Sequence, residues 1–281
     1  MTMSVVTNAP AFAALRTFNA VGRHLDAVQN RVSTGLKVSG ALDDASNFAI
    51  AQGIRGELRA IDAVNQGLNN AKGIAKVAIA GATAFSDLMQ DIRKKITEGA
   101  NQGNSTQQQA ILQDDYAEMI QQLRQILENS EFNGVNVLIE VAIPYNLAIG
   151  SVRDVDVLSN VDGGSLTISG QRLDLYYAQL ANEDISTPAN ALQALTVWQT
   201  ANDSVGLALG SLGADLRSLE LQTTFLESIR DATEEGLGNI VDADLARESA
   251  DLTAVQVQQQ LAAQTLGIAN RRPQTVLGLF Q

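Results

Sequence analysis

Apolar residues recur along most of this chain with alternating spacings of three and four, the period of an amphipathic α-helix that packs through one stripe. No proline occurs in residues 11–143, so long helices are possible there. The most regular stripe comprises Ile61, Val64, Leu68, Ala71, Ala75, Ala78, Ala82, Phe85, Met89, Ile92 and Ile96. The spacing predicts one long helix, and its run of alanines predicts close approach of a neighbouring helix.

Two further stripes predict helices on either side of the middle of the chain. The first follows a turn cluster at residues 99–104, where Thr106 and Gln109 match a capping box. Its apolar positions are Leu112, Tyr116, Met119, Leu123 and Ile126. The second begins at Thr187 and Pro188, an N-cap followed by proline at the first helical position, and fades at residues 234–236. Its apolar positions are Val205, Leu209, Leu212, Leu216, Leu219 and Leu226.

Each terminus carries a stripe that no neighbouring segment covers. The N-terminal stripe precedes Gly35 and consists of Ala11, Leu15, Phe18, Leu25 and Val32. The C-terminal stripe lies in an amphipathic segment predicted to run unbroken over residues 240–272, and consists of Val241, Leu245, Leu252, Val255, Ala262, Leu266 and Ala269. Narrow seams of this kind need partner helices, so the termini are expected to pair with each other and with further copies of the chain.

A different pattern occurs between the helical segments. Residues 152–157 alternate with period two, and residues 166–168 follow the turn signal at Asp162, Gly163 and Gly164. This pattern predicts a β-hairpin. The expected fold is mainly α, a long antiparallel helical bundle or coiled coil of paired N- and C-terminal helices with a small mid-chain hairpin. The expected domains are 1–43 with 240–281, 44–138 with 187–239, and a hairpin cap at 139–186.

Composition narrows the classes of partner. The chain has 281 residues, 45% of them hydrophobic, and a formal net charge of −12. It concentrates no basic face, so a nucleic-acid partner is not expected. No segment reaches the roughly 18 apolar residues of a membrane span, and the first residues lack the pattern of a cleavable signal peptide. Composition alone would therefore place the chain in the cytoplasm.

Candidate catalytic chemistry is sparse. There is no cysteine, and the single histidine, His24, lies in the N-terminal helical segment with no motif around it. A nucleophilic system would have to depend on His24 alone, so a structural role is favoured for it. The isolated glycines Gly53, Gly56, Gly163 and Gly164 do not form a phosphate loop. We expect no enzymatic activity, cofactor or metal.

Two pairs of carboxylates and one pair of arginines are assigned to helix ends. Asp43 with Asp44, and Asp242 with Asp244, lack the further oxygen ligands and the glycine of a calcium loop. Helix N-caps at domain junctions are the favoured interpretation. The pair at residues 271–272 is expected in the last turns of the terminal helix, where a cation suits the negative end of the dipole.

Three separated motifs together resemble bacterial flagellins. They are RVSTGLKVSGALDDA at residues 31–45, EFNGVNVL at residues 131–138, and the segment 240–280 with Ala269-Asn270 and the closing PQTVL at 273–277. The resemblance covers about residues 4–140 and 200–281 and is closest to short, alphaproteobacterial-like flagellins.

The resemblance implies a subunit of an extracellular helical filament that serves swimming motility. Flagellins leave the cell through an export channel without a cleaved leader, which overrules the cytoplasmic expectation. The implied partners are other copies of the chain, the flagellar export apparatus, an export chaperone, and the filament cap and hook-junction proteins. The large outer domains that many flagellins insert in mid-chain are expected to be absent. So is the zinc peptidase insert of some members, because no His-Glu-x-x-His motif occurs.

Assembly is expected to depend on the terminal seams. The expected interface residues are Leu15, Phe18, Leu25, Val32, Leu252, Val255, Leu261 and Leu266. The alternative for these side chains is an ordinary core within the subunit. Two alternative functions also stay open, a hook–filament junction protein and a coiled-coil adaptor that forms small oligomers.

One departure from the family pattern concerns an immune receptor. In many flagellins the second bundle helix carries an Arg-Glu-Leu patch that an animal innate immune receptor recognises. Here the matching residues are Arg93, Lys94 and Lys95. The resemblance therefore implies weak receptor recognition, because a lysine replaces the glutamate and another replaces the leucine.

Overall fold

The computed structural model describes residues 7–139 and 154–277, with the side chains of the last helix described as far as Arg271. Residues 152 and 153 of the predicted hairpin and residues 278–280 of the C-terminal motif segment lie outside these ranges. The helices within them are α1 (Ala9–Thr34), α2 (Ala45–Gly99), α3 (Thr106–Asn129), α4 (Leu173–Ala181), α5 (Pro188–Val241) and α6 (Leu245–Leu277). The strands β1 (Val155–Leu158) and β2 (Ser165–Ile168) form an antiparallel pair. The expected mainly helical fold with a small mid-chain hairpin is confirmed.

The chain divides into two compact units. Unit 1 comprises Met1–Leu58 and Asp231–Gln281, and unit 2 comprises Arg59–Arg230. Helices α2 and α5 each contribute residues to both units. Unit 1 contains both terminal helices, and unit 2 contains α3, the hairpin and α4.

The core of unit 2 is the helical bundle that the stripes predict. All eleven stripe positions of α2 from Ile61 to Ile96 are buried. From α5, Trp198 is fully buried and its Nε1 donates a hydrogen bond to the carbonyl oxygen of Met89 at 2.6 Å. From α3, the buried hydroxyl of Tyr116 donates to the carbonyl oxygen of Leu180 at 2.5 Å. Because both polar tips are satisfied, these large side chains are buried without an unpaired donor.

The cap of α3 lies one residue earlier than the sequence suggested. Ser105, not Thr106, is the N-cap, and Gln108, not Gln109, completes the capping box. The Gln109 side chain points into the core instead, where its Nε2 donates to the carbonyl oxygens of Gly99 at 2.8 Å and Ile185 at 2.6 Å. The glutamine assigned to the cap therefore connects the end of α2 to the segment before α5.

The predicted hairpin is followed along the chain by a short helix that the sequence patterns did not indicate. Val155 pairs with Ile168 and Leu158 with Ser165, and Gly163 adopts a φ of 94° in the connecting turn. The unexpected helix, α4, has only nine residues and buries two leucines seven positions apart, Leu173 and Leu180. Two apolar contacts in nine residues are too few to establish a helical period.

The predicted turn at Asn133-Gly134 docks against two glycines of α2. Both turn residues have positive φ, 52° and 73°. A Cβ atom at Gly73 would lie 2.9 Å from the Phe132 ring, and one at Gly81 would lie 2.7 Å from the Cβ of Ser130. These glycines therefore let the turn segment approach the helix backbone closely.

Gly81→Ala is expected to destabilise unit 2 by about 1–3 kcal/mol, because the added methyl group overpacks the contact with Ser130. Gly67→Ala is the matched control in the same helix. Its Cβ would lie 3.8 Å from the nearest atom, so higher helix propensity should stabilise the protein by about 0.5–1 kcal/mol. Urea unfolding followed by the fluorescence of Trp198, the only tryptophan, measures both changes. A Gly81→Ala protein as stable as the parent would contradict the packing argument.

The C-terminal helices break at a different place from the one expected. Helix α5 continues past residues 234–236 to Val241, and α6 begins at Leu245, so the segment 240–272 is interrupted at residues 242–244. Helix α6 also extends beyond the arginine pair to Leu277, and no basic residue lies in its last turn. The dipole interpretation of residues 271–272 is therefore wrong.

Candidate assembly surface

Unit 1 joins the end of α1 to the connection between α5 and α6 through backbone hydrogen bonds. Gly35 ends α1 with a φ of 72°, and its carbonyl oxygen accepts from the Ala243 amide at 2.9 Å. The amides of Lys37 and Val38 donate to the carbonyl oxygen of Val241 at 2.7 and 3.3 Å. A small core beneath these bonds comprises Val38, Ala51 and Val241, with Leu36, Phe48, Leu237 and Ile240 packed around it.

The four aspartates assigned to helix caps have different roles. Asp44 Oδ1 accepts from the amides of Ser46 and Asn47, and Asp244 Oδ1 accepts from those of Ala246 and Arg247, so these two carboxylates cap α2 and α6. Asp43 closes the preceding turn instead, accepting from the amides at positions 39 and 40 and from the hydroxyl at 39. Asp242 follows the last residue of α5 and donates its amide to that helix.

Hydrogen bonds also set the ionisation of the first aspartate pair. The hydroxyl of Ser39, followed by its amide, lowers the pKa of Asp43. The amide of Asn47 is the largest cause that lowers the pKa of Asp44. Both carboxylates therefore stay ionised as acceptors at neutral pH.

Helices α1 and α6 pair in antiparallel orientation. At one end, the side-chain amide of Asn8 donates to the carbonyl oxygen of Ala269 at 2.9 Å. At the other end, Arg31 Nη1 lies 3.5 Å from Glu248 Oε1. The start of α1 thus lies beside the end of α6. This orientation agrees with the backbone hydrogen bonds that connect the end of α1 to the segment just before α6.

Burial along the pair follows alternating spacings of three and four, and we call these positions the α1–α6 seam. On α1 they are Ala11, Ala14, Phe18, Val21, Leu25, Val28 and Val32, and on α6 they are Leu252, Val255, Ala262, Leu266 and Ala269. Six of the eight expected interface residues lie in the seam. Val28, which was not among them, is the most buried side chain of α1 at 1% exposure, although its spacing from Leu25 and Val32 fits the period.

The other two expected interface residues lie outside the seam. Leu15 is 43% exposed and Leu261 is 55% exposed. Phe12 lies three positions from Leu15, and Val257 and Ile268 lie four and seven positions from Leu261; all three are at least half exposed. We call these five residues the outer face. Helical spacing places Val257, Leu261 and Ile268 on the side of α6 opposite the seam.

The three residues of the receptor patch lie in unit 2, close to the end of α2. The Arg93 guanidinium lies 4.8 Å from the centroid of the Trp198 ring. Lys95 Nζ lies 2.9 Å from Asp115 and 3.7 Å from Glu98, and the hydrogen bond with Asp115 is the main cause that raises the pKa of Lys95. Lys94 is exposed.

The described residues contain no group of three or more His, Cys, Asp or Glu side chains that could hold a metal ion. His24 is exposed on α1. In the part of the chain that the structure describes, none of the helices has the length and apolar content needed to cross a membrane.

Comparison with known sequences identifies relatives along the whole chain. The profile of the bacterial flagellin N-terminal helical region matches residues 5–142, and that of the C-terminal helical region matches residues 195–280. Flagellin FljJ of Caulobacter vibrioides is 33% identical, with 100% of this chain and 99% of the relative covered. A flagellin of Brucella melitensis is 31% identical, with 99% of each chain covered.

Comparison with solved structures supports the fold. The crystal structure of Bacillus cereus flagellin superimposes with a TM-score of 0.51 at 19% identity, covering 57% of this chain and 88% of that chain. A protein of Vibrio parahaemolyticus assigned as a flagellar hook-associated protein superimposes with a TM-score of 0.59 at 12% identity, covering 71% of this chain and 100% of that chain. At these identities the likeness concerns the fold alone.

Proposed function

Since the chain belongs to the bacterial flagellin family and is therefore a subunit of the flagellar filament, we propose that it polymerises through the paired helices α1 and α6. The observation that carries this proposal is the outer face, which holds five of the six large apolar side chains exposed on the described parts of the two terminal helices. The sixth, Leu245 at the start of α6, was expected in the seam but is 50% exposed. On α6, Val257, Leu261 and Ile268 form a row of exposed apolar side chains along one side of the helix, and a grouped apolar surface of this kind marks an interaction site. In a homopolymer, the partner that covers it is another copy of the chain.

The seam is too thin to hold the terminal helices together by itself. Of the described side chains of α1 and α6, only Val28, Val255, Ala262 and Ala269 are buried apolar groups, and two of these four are alanines. Ordering a residue costs about 1–2 kcal/mol of conformational entropy. We propose that neighbouring subunits supply the missing burial, so that the terminal helices become ordered as the subunit joins the filament.

The eight interface residues would then act at two levels. Phe18, Leu25, Val32, Leu252, Val255 and Leu266 hold the two helices of one subunit to each other. Leu15 and Leu261, with the remaining residues of the outer face, contact neighbouring subunits. Asp44 caps the start of α2, and Asp244 caps the start of α6. These positions support a role for both aspartates at the junction of the terminal domain.

The remaining parts of the function follow from family membership. We propose that the filament is extracellular and that the subunit reaches it through the flagellar export apparatus with the help of an export chaperone. The filament cap and the hook-junction proteins would be its other partners. We propose a structural role with no catalytic activity. A hook–filament junction protein or a small-oligomer adaptor is not favoured, because the relatives matched over their full length are flagellins.

Leu261→Glu tests the outer face. We expect purified subunits with this change to need at least tenfold higher concentration to polymerise, because a buried unpaired carboxylate costs several kcal/mol. Sedimentation of polymer and negative-stain microscopy measure the effect. Leu158→Glu on β1 is the matched control, since it makes the same change at a leucine of nearly the same exposure, 54% against 55% for Leu261. Normal polymerisation of the Leu261→Glu protein would contradict the proposal.

Leu252→Glu tests the coupling of folding to assembly in the same assay. This residue lies in the seam, so an α1–α6 pair already folded in the monomer would lose stability. If ordering occurs only on assembly, the thermal melt of the monomer should stay unchanged while polymerisation is lost. A clear fall in the melting temperature of the monomer would show that the seam is an ordinary core.

A further inference from the structure

An apolar groove lies beside the hairpin in unit 2. It is lined by α2 between Ala60 and Ile74, by β1 and by Val135, and its volume is about 570 Å³. Most of the α2 residues that line it are alanine or glycine, which leaves room above the helix. Among the lining residues, Asp156 alone is charged, and its Oδ1 accepts a hydrogen bond from the hydroxyl of Thr167 at 2.5 Å. The groove therefore suits an uncharged apolar occupant.

The β1 edge that faces away from β2 carries unpaired backbone groups. Ser159 lies opposite Gly164, and its amide donates to the carbonyl oxygen of Gly164 at 2.7 Å. Because bonded and non-bonded residues alternate along an antiparallel pair, Asp156 and Leu158 direct their amides and carbonyls away from β2. Among the described residues, none forms a backbone hydrogen bond with these groups. A free strand edge of this kind is a site at which a further extended segment can pair.

The segment that connects Val135 to β1 has the composition that the groove requires. Residues 140–153 join Ile139 to Asp154. Within them, seven of the nine residues 141–149 are Val, Ala, Ile, Leu or Tyr, and none of the nine is charged. Fourteen residues span at most about 46–50 Å, whereas α2 rises about 21 Å from residue 60 to residue 74. The segment is therefore long enough to enter the groove and still connect its two ends.

We propose that residues 141–149 pack into this groove within the same subunit, beside the free edge of β1. Their apolar side chains would contact the small residues of α2, and their backbone would supply partners for Asp156 and Leu158. Pro144 is compatible with an outer strand, where an amide is not needed for pairing on the solvent side. Since the segment is tethered at both ends near the groove, its effective concentration there exceeds that of another copy in dilute solution.

Thiol labelling tests the occupancy of the groove, because the chain has no cysteine of its own. Ala63→Cys places a thiol in the groove, and Ala84→Cys places one on an exposed part of α2 outside it. We expect the Ala63→Cys monomer to react with a maleimide at least about fivefold more slowly, which corresponds to a groove occupied about four-fifths of the time or more. Equal rates for the two full-length proteins would overturn the proposal.

Ile143→Ser with Leu147→Ser tests whether the segment causes this protection. Added to Ala63→Cys, the two serines should abolish the slow reaction, and added to Ala84→Cys they should leave the rate unchanged. The fluorescence of Trp198, which is buried in the main core, should be the same in all four proteins and shows that unit 2 remains folded. Slow labelling of Ala63→Cys that persists with both serines would rule out the segment as the occupant.

Disulfide formation distinguishes a segment of the same subunit from one supplied by another copy. Ala63→Cys is combined in turn with Ile143→Cys, Leu147→Cys or Ile149→Cys, and each monomer is oxidised at low concentration. At least one pair should form an intramolecular disulfide, which requires Cβ atoms within about 3.5–4.5 Å and is detected by peptide mass spectrometry. Disulfide-linked dimers in its place would assign the groove to a second copy and overturn the proposal.

These measurements are made on the monomer and do not depend on polymerisation. Their failure would remove this inference and leave the proposed function to the Leu261→Glu test. Loss of polymerisation in the Leu261→Glu protein together with unprotected Ala63→Cys would therefore support the outer face and contradict only the packing of residues 141–149.

Discussion

Deleting residues 245–281 is expected to abolish filament growth while unit 2 remains folded. The deletion removes α6 and with it one half of the α1–α6 pair, so neither the seam nor the outer face can form. The buried residues of the main core all lie between Ile61 and Leu226, which the deletion does not reach. The small core of Val38, Ala51 and Val241 is retained as well.

Deleting residues 1–35 removes the other half of the pair and should have the same effect. Thermal melts followed by circular dichroism should show the unfolding transition of unit 2 at the temperature of the full-length protein. Negative-stain microscopy under polymerising conditions should show no filaments. Filaments of normal length from either truncated protein would show that the terminal pair is not the assembly surface.

The parts of the fold that the sequence predicted are those where burial follows one long, regular period. The α2 stripe is the clearest case, because eleven apolar positions in succession leave only one helical phase that buries them all. The core positions of α3, from Leu112 to Ile126, and those of α5, from Val205 to Leu226, were predicted for the same reason. The seam from Leu252 to Ala269 was also correctly phased, since its apolar positions keep the heptad spacing through the polar Gln259.

Helix caps and helix ends were misplaced by one or more residues, because a motif of only a few residues fits several neighbouring positions. The capping box of α3 was placed one residue too late, because Ser105 and Thr106 are adjacent and are followed by consecutive glutamines, so that either residue fits the pattern. Adjacent aspartates are equally ambiguous, and only the backbone geometry shows that Asp44 caps α2 while Asp43 closes the turn. The break at residues 242–244 was missed because the apolar period continues through it from Val241.

The sequence located the candidate assembly surface on the terminal helices. It did not separate the residues of the α1–α6 seam from those of the outer face. Periodicity identifies apolar residues on a helix, but which of two apolar faces a partner covers depends on the partner. Leu15 and Leu261 were grouped with seam residues for this reason, although they lie on the outer face. Phe12, Val257 and Ile268 were not singled out, because each falls outside the heptad positions that define the seam.

Weak activation of the innate immune receptor by soluble monomer is the other expected result with a large effect. The patch that the receptor recognises in many flagellins is Arg-Glu-Leu, and here Lys94 and Lys95 replace its last two residues. Like charge at an interface can cost several kcal/mol, which corresponds to more than a hundredfold in affinity. Lys94 is exposed and would meet the receptor surface directly.

The structure adds a second reason for weak recognition. Lys95 is held by Asp115 at 2.9 Å and by Glu98 at 3.7 Å, so a receptor would have to accommodate this ion-pair group in place of an apolar leucine. The retained arginine is also committed within the subunit, because Arg93 stacks over Trp198. Arg93 is thus the only one of the three patch residues that matches the family pattern, and its guanidinium already contacts Trp198.

Lys94→Glu combined with Lys95→Leu should therefore restore part of the response in receptor reporter cells. The matched control is Lys94→Gln with Lys95→Gln, which removes the same two positive charges without recreating the acidic and apolar pattern. We expect this control to restore less, because it relieves the like-charge repulsion but supplies neither new contact. Potent activation by the unmodified protein would show that the two lysines do not impair recognition. Equal rescue by both variants would assign the whole defect to charge repulsion.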